Sequence, residues 1–402
     1  MNVASINLFS PEFDANPYPL YQEIRENHPL FYYAEADAYV LSRFNDVSLA
    51  FKNPAFTVKN YEFQSEPLHG RTFIQMDGSE HSKYRNIVAP SIRGRELMQN
   101  IVPIIEQTAR ELYQPFKEKN TADFAVEFAA RFPILVIVGL LGLDKKDESS
   151  FLTWYRTFVD FIADLGRTPE ITEAAFRTKE EITDYLLPII AHKRDNPADD
   201  LLSTMCQSEI DGVRMSDQEI KAFISLLITA GGESTDKMLS LTLRNLLMHP
   251  EQLEAVRHDR SLIANAFAES LRFSPVTHRI MRITSEEVEV SGGTIPAEAK
   301  VIMLLGAAQH DKQQFDQPEQ FNIFREDLDV EKAFSGSANH MAFGAGRHFC
   351  VGAMLAKVEM EVAFDQLLDL TTSIELAEPD NIREQGLFTR GIEHLKINYT
   401  LS

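Results

Sequence analysis

Phe343-Gly344-Ala345-Gly346-Arg347-His348-Phe349-Cys350-Val351-Gly352 is the stretch on which the reading of this chain turns, and a helical run, Ala353 to Leu368, follows at once. Glycine lets a backbone come close to whatever it surrounds. A cysteine at the start of a helix sits among free backbone N–H donors, and the helix dipole stabilises negative charge there. Cys350 in this setting sits where a thiolate's charge would be stabilised. Without such surroundings a lone cysteine is normally inert packing. That is the reading for Cys206, the other cysteine of the chain.

Composition narrows the classes. The chain has 402 residues, 44% of them apolar and 25% charged, as in a globular enzyme with a sizeable core. Asp and Glu outnumber Lys and Arg by 60 to 39, which argues against nucleic acid or an anionic membrane as the main partner. The longest apolar run, Phe132 to Leu143, contains Pro133 and two glycines and is too short to cross a bilayer. Met1 to Pro11 shows neither a basic start nor an apolar stretch with a cleavage site, so a cytoplasmic protein is expected. Two cysteines far apart in such a compartment are poor material for a disulfide. With no repeat, low-complexity segment or long linker, residues 1–402 read as a single domain.

Outward from the cysteine loop, helical periodicity dominates. It predicts helices over Tyr18 to Glu26, Glu96 to Lys117, Asp123 to Leu141, Phe151 to Asp164 and Thr172 to Arg194. Short β segments are expected at Leu30 to Tyr33, Tyr39 to Ser42, Val288 to Val290 and Val301 to Leu305. The fold class is therefore mainly α with small sheets. One helix is unusually long: Ser216 as N-cap and Glu219 three residues on form a capping box, and the apolar pattern continues until Pro250. Its middle, Ala230-Gly231-Gly232-Glu233-Ser234-Thr235, breaks the pattern with two glycines, each costing about 1 kcal/mol in a helix interior. A broken rule at a helix centre points to function.

The loop Phe343 to Gly352 resembles the cysteine-ligand loop of cytochromes P450. Further segments in the right order carry the resemblance: Glu269-Ser270-Leu271-Arg272, Phe321-Asn322-Ile323-Phe324-Arg325, and His81 with Arg85 one turn apart. It extends from Asn16-Pro17-Tyr18 to Thr389-Arg390-Gly391, and implies a triangular, mainly helical prism with a long central helix over heme b (iron protoporphyrin IX). Cys350 would be the iron ligand, with Phe343 and Gly344 in the loop beside the cofactor. His81, Arg85, Arg282 and His348 would meet the heme propionates. Glu269 and Arg272, with Arg325, would be a buried clamp serving folding. Each of these is a common surface residue when read alone.

In this family the glycine-rich break lies over the open face of the iron, so Ala230 and Gly231 would admit dioxygen. Glu233 and Ser234 would be the catalytic acid–alcohol pair that moves protons. The family's usual alcohol is threonine; serine keeps the hydroxyl but loses the β-branching that stiffens the rotamer. Thr235 is a rival for the role, and a mid-helix serine also readily bonds back to its own helix.

The resemblance implies a monooxygenase using dioxygen and two electrons. The chain shows no flavin, nucleotide or iron–sulfur motif, so a ferredoxin or flavodoxin with its reductase would be the electron donor, docking near Arg347. An apolar substrate pocket would draw on Leu226, Val276, Ile280 and Phe388, although each suits a core position equally well. Ala333-Phe334-Ser335-Gly336, Phe321 to Asp327 and Leu387 to Gly391 are similar to the bacterial group that oxidises cyclic dipeptides towards pulcherriminic acid. A peroxide-using heme enzyme and a non-catalytic heme-binding sensor are the competing readings. The retained acid–alcohol pair favours dioxygen chemistry over both.

Overall fold

The structure is a computed structural model that describes residues 3–90, 92, 94–164, 166, 168–210 and 212–402. The capping box at Ser216 forms as its spacing predicts: the Glu219 N–H donates to Ser216 Oγ at 3.2 Å, and the Ser216 N–H donates to Glu219 Oε2 at 2.7 Å. The helix it opens runs Asp217–Leu247, 31 residues, or about 46 Å at the usual rise. It closes at Met248, and Pro250 begins the next helix, Pro250–His258. Around it pack Phe132–Leu140, Glu148–Ala163, Pro169–Asp195 and Leu262–Phe273. Phe132–Leu140 is buried along almost its whole length, as expected of a helix enclosed by others.

The small sheets stand at the periphery. One has the strand order Leu30–Tyr33, Ala38–Leu41, Lys300–Leu304, Arg279–Thr284 and Phe56–Thr57. Its one parallel pairing sets Val301 opposite Tyr39; the others are antiparallel. A second joins Thr371–Leu376, Lys396–Leu401 and Thr121–Asp123. Near the C-terminus Glu384–Gln385 pairs with Gly391–Ile392, and Thr277 bridges Thr389.

Two expected helices come out differently. Thr121–Asp123 is a strand, not the start of a helix, because its pairing with Lys396 to Asn398 is reinforced by Asp123, whose Oδ1 accepts the Leu395 N–H at 3.0 Å. A wide turn, Ala125–Ala129, follows, and the helix proper starts at Phe132, next to Pro133, which has no N–H to donate to a preceding turn. The expected helix Glu96 to Lys117 is likewise divided into Gly94–Glu96, a wide-turn segment Leu97–Ile101, Val102–Tyr113 and a tight turn Gln114–Glu118. Pro103 and Pro115 sit at the starts of the last two pieces.

Glu269 and Arg272 are both completely buried and paired through Nη2 to Oε1 at 2.7 Å and Nε to Oε2 at 2.8 Å. Arg272 also donates to the carbonyls of Gln309, Pro318 and Gln320, between the rings of Phe273 and Phe315. Arg325 brings a second cation to Glu269 at 2.9 Å, and the Asn322 N–H donates to the same carboxylate at 3.0 Å. One carboxylate and two guanidinium groups therefore pin the segment 309–325 to helix Leu262–Phe273.

No helix among the described residues is long and apolar enough to cross a membrane.

Candidate active site

The loop before helix Ala353–Leu370 is shaped by its glycines. Gly344 and Gly346 both adopt φ of 68°, a left-handed conformation that disfavours side chains, and a Cβ on Gly346 would sit 2.8 Å from the Phe51 carbonyl oxygen. The Cys350 N–H donates to the Phe343 carbonyl at 2.9 Å, closing the loop. Phe343 itself is wedged among Phe267, Phe334, His340 and Phe349.

Cys350 keeps exposed surface, yet protein crowds its sulfur enough for burial to push the thiol pKa up. The Gly352 N–H, the Arg85 guanidinium and the Ala353 N–H act in the opposite direction, favouring the thiolate. These are the groups expected around a sulfur that carries charge when it binds a metal.

Four basic side chains gather beside this loop. His81, only 2% exposed, has a buried Nε2 with no hydrogen-bond partner, and its ring lies 4.3 Å from that of His348. Burial, with His348 and Arg85 nearby, lowers its pKa to about 4, so it is neutral at physiological pH. Arg85 Nη2 donates to the Phe349 carbonyl at 2.6 Å, which fixes the guanidinium against the cysteine loop. Arg282, 4% exposed, lies over the rings of Phe51 and Tyr61 and donates from Nη1 to the Met281 carbonyl at 2.8 Å. His348 is 3.0 Å from Asp77 Oδ1, which also pairs with Arg347 at 3.2 Å.

On the central helix, Ala230 and Ser234 are exposed while Ile228, Thr229, Gly232 and Thr235 are buried. Residues four apart share a helical face, so one stripe at the helix centre is left open. Ser234 Oγ donates to the Ala230 carbonyl at 3.0 Å, the back-bond to its own helix that competes with any other role. Thr235 lies off the open face.

The two glycines pack against a neighbouring helix. A Cβ on Gly231 would meet Ile137 Cδ1 at 2.8 Å, and one on Gly232 would meet Ile134 Cδ1 at 2.5 Å. They let the central helix cross Phe132–Leu140 closely; Gly231 does not border the open stripe in the way Ala230 does.

Glu233 is held by groups that sequence reasoning missed. Its Oε1 accepts from Lys237 Nζ at 2.5 Å and from the Thr389 hydroxyl. The Lys237 stem lies so close to Gly391 that a Cβ there would fall 2.4 Å from Lys237 Cγ. The i,i+4 spacing of Glu233 and Lys237 is visible in the sequence; the loop carrying Thr389 is brought in only by the fold. Next along the helix, burial raises the Asp236 carboxyl pKa to about 7, and the Tyr155 hydroxyl donates to its Oδ2 at 3.1 Å.

Of the expected pocket residues, Val276 and Phe388 lie on neighbouring segments: the Arg390 N–H donates to the Val276 carbonyl at 2.8 Å and the His278 N–H to the Phe388 carbonyl at 2.9 Å. Leu226 is 8% and Val276 4% exposed, values of core residues. Ile280 is half-buried in its strand opposite Met303. The ring of Phe388 lies 5.2 Å from the Arg279 guanidinium, in a cluster with Phe9 and Phe13.

No group of three or more His, Cys, Asp or Glu that could hold a metal occurs among the described residues. Cys350 would supply one thiolate ligand to a metal that brings its own macrocycle. The unpartnered His81 Nε2, with Arg85 and Arg282 alongside, supplies what a macrocycle bearing carboxylates requires. The residues present fit heme b.

Comparison with known proteins agrees with that chemistry. The family model for Cytochrome P450 matches residues 13–397. Pulcherriminic acid synthase of Bacillus subtilis (strain 168) is 39% identical over 392 residues, covering 96% of each chain. The 6-deoxyerythronolide B hydroxylase of Saccharopolyspora erythraea is 29% identical, covering 97% of this chain and 98% of that one. The solved structure of the Bacillus subtilis 168 bacillaene polyketide synthase cytochrome P450 PksS superposes with a TM-score of 0.87 at 30% identity, covering 98% of this chain and all (100%) of the other. The chain thus belongs to the cytochrome P450 family, the heme-thiolate monooxygenases that carry heme b.

Proposed function

We propose that this monooxygenase oxidises an apolar cyclic dipeptide. The observation that carries the reading is the 39% identity to pulcherriminic acid synthase across 96% of both chains. The segments Phe321 to Asp327, Ala333 to Gly336 and Leu387 to Gly391 support it. Residues 1–402 work as a single domain in the cytoplasm. Electrons come from a ferredoxin or flavodoxin with its reductase, docking on the face that carries exposed Arg347.

When bound, heme b supplies the oxygen-activating and oxidising chemistry. Cys350 is its thiolate ligand, stabilised by the N–H groups of Gly352 and Ala353 and by Arg85. Phe343 and Gly344 shape the loop against the cofactor. His81, Arg85, Arg282 and His348 would hold the propionates, the buried, unpartnered Nε2 of His81 among the groups offered.

Ala230 keeps the open stripe of the central helix low, and Gly231 lets that helix seat against Ile137. Glu233 and Ser234 move protons: Ser234 releases its back-bond to Ala230 and turns its hydroxyl to the open side, while Glu233 exchanges its proton with it through water. Lys237 and Thr389 set where that carboxylate rests. Leu226, Val276, Ile280 and Phe388 bound the apolar side of the substrate space, with Phe388 held in place by Arg279.

The test is an optical titration of the ferric holoprotein with apolar cyclic dipeptides, fatty acids and terpenoids. A low-to-high-spin shift with a cyclic dipeptide such as cyclo-dileucine, followed by oxidised product in a reconstituted assay, is the expected result. A shift confined to fatty acids or terpenoids overturns the substrate class.

A further inference from the structure

Asp236 stands three residues after Glu233 on the central helix, on the side that meets helix Glu148–Ala163. Its side chain is half-buried. Tyr155, 5% exposed, donates to it at 3.1 Å and is also hydrogen-bonded to Arg156. Arg156 and Asp160, one turn apart, are both exposed. Asp160 feels Glu233: burial and the Glu233 charge both raise its carboxyl pKa. A string of ionisable groups therefore runs from the surface at Arg156 and Asp160, through Tyr155 and Asp236, to Glu233.

We propose that Asp236, hydrogen-bonded to Tyr155, holds a proton and passes it to Glu233, making it the proton-supplying residue behind the Glu233–Ser234 pair. The inference rests on reading that pair as the one that moves protons. In the transfer the O–H bond of the Asp236 carboxyl breaks as an O–H bond forms on the Glu233 carboxylate. Asp236, which is half-buried, is then recharged by a proton from solvent, while the Tyr155 hydroxyl positions its carboxyl. One proton moves inward and no electron changes hands.

The surroundings suit a donor that is recharged near neutral pH. Burial is the main cause raising the Asp236 pKa to about 7, and Glu233 adds to it; the Tyr155 hydrogen bond, Lys237 and Arg156 pull it down. A proton donor works best when its pKa lies near the working pH. Lys237 pairs with Glu233 at 2.5 Å.

The test uses the holoprotein with a surrogate ferredoxin, its reductase, NADPH and cyclo-dileucine. Infrared difference spectra between about pH 6 and pH 8 should show one carboxylic acid band lost on raising the pH, absent in Asp236→Asn. A band that persists in that variant overturns the proposal whatever the substrate is.

In turnover, the share of NADPH electrons released as hydrogen peroxide (NADPH, a proton and dioxygen giving NADP+ and hydrogen peroxide) should rise with pH in the native protein. In Asp236→Asn it should be high and flat. Asp236→Glu should restore the slope, and Tyr155→Phe should move the midpoint upward, because the hydrogen bond it removes lowers the pKa. A purely structural role would reduce the yield of heme protein without moving any midpoint. If Glu233→Gln raises the peroxide share and Asp236→Asn leaves the native slope in place, the supply role of Asp236 fails alone. If Glu233→Gln changes nothing, the reading of the pair fails first.

Discussion

Gly232→Ala is the substitution whose outcome most directly separates local preference from tertiary packing. Helix propensity alone favours alanine at an interior position by about 1 kcal/mol. Against this, the new Cβ would lie 2.5 Å from Ile134 Cδ1 and 3.3 Å from its Cγ1, with Tyr155 Cδ2 at 3.8 Å. Ile134 is 1% exposed in a helix whose neighbours are all packed, so it has little room to retreat. Overpacking of this kind costs about 1–3 kcal/mol. Setting about 2 kcal/mol against the propensity gain predicts a net loss of about 1 kcal/mol.

Ile134→Val removes the atom in closest contact, Cδ1, and by itself costs about 1 kcal/mol. In the double variant the alanine methyl occupies the space that Cδ1 leaves, so the stability should return close to native. The cycle then shows a favourable coupling of about 2 kcal/mol. Urea unfolding followed by Trp154, the only tryptophan, measures it. With a slope of about 3 kcal/mol/M, 1 kcal/mol corresponds to a midpoint shift of about 0.3 M. The close-crossing role of Gly232 is refuted if Gly232→Ala alone stabilises the protein, or if the two substitutions are simply additive.

Arg272→Leu strips a fully buried carboxylate of one partner and leaves the Gln309 and Pro318 carbonyls without the donor they have now. Breaking a buried pair costs about 3–5 kcal/mol out of a total stability of about 5–15 kcal/mol, so little heme-binding protein should be recovered; a normal yield would contradict the clamp. Cys350→Ala should abolish the thiolate signature in the carbon monoxide difference spectrum while circular dichroism stays mainly helical. Ser234→Ala should raise the peroxide share of NADPH electrons severalfold, and unchanged coupling would remove Ser234 from proton delivery. Acid should destabilise the fold: His81 and His340 are lowered to about 4, and His69 and His310 to about 3, in each case mainly by burial. The unfolded chain therefore binds more protons than the folded one below about pH 6.5, and stability falls as pH drops from there towards about 4. Thermal melts across that range check it.

Much of the fold was legible because its signals are local. A capping box needs two side chains three residues apart, and at Ser216 and Glu219 both bonds form. The loop 343–352 announces itself in the same way, since its glycines, its cysteine and the following helix are contiguous. The helix boundaries near Asp123 were not legible, because the strand there depends on residues 395–398, far away along the chain. The purpose of Gly231 and Gly232 was equally hidden: their contacts, Ile137 and Ile134, lie nearly a hundred positions earlier.

By itself the sequence determined the family and the order and residue types of the motifs, all of which depend on short-range spacing. Only the tertiary structure decided what those residues touch. It turned Ser234 back onto Ala230, tied Glu233 to Lys237 and to Thr389 from the C-terminal loop, gave Phe388 to Arg279, and enclosed Asp236 beside Tyr155. The physical reason is that proton affinity and side-chain direction are set by burial and by neighbours across the core. Neighbours of that kind arise from helix packing between segments that share no proximity in the chain.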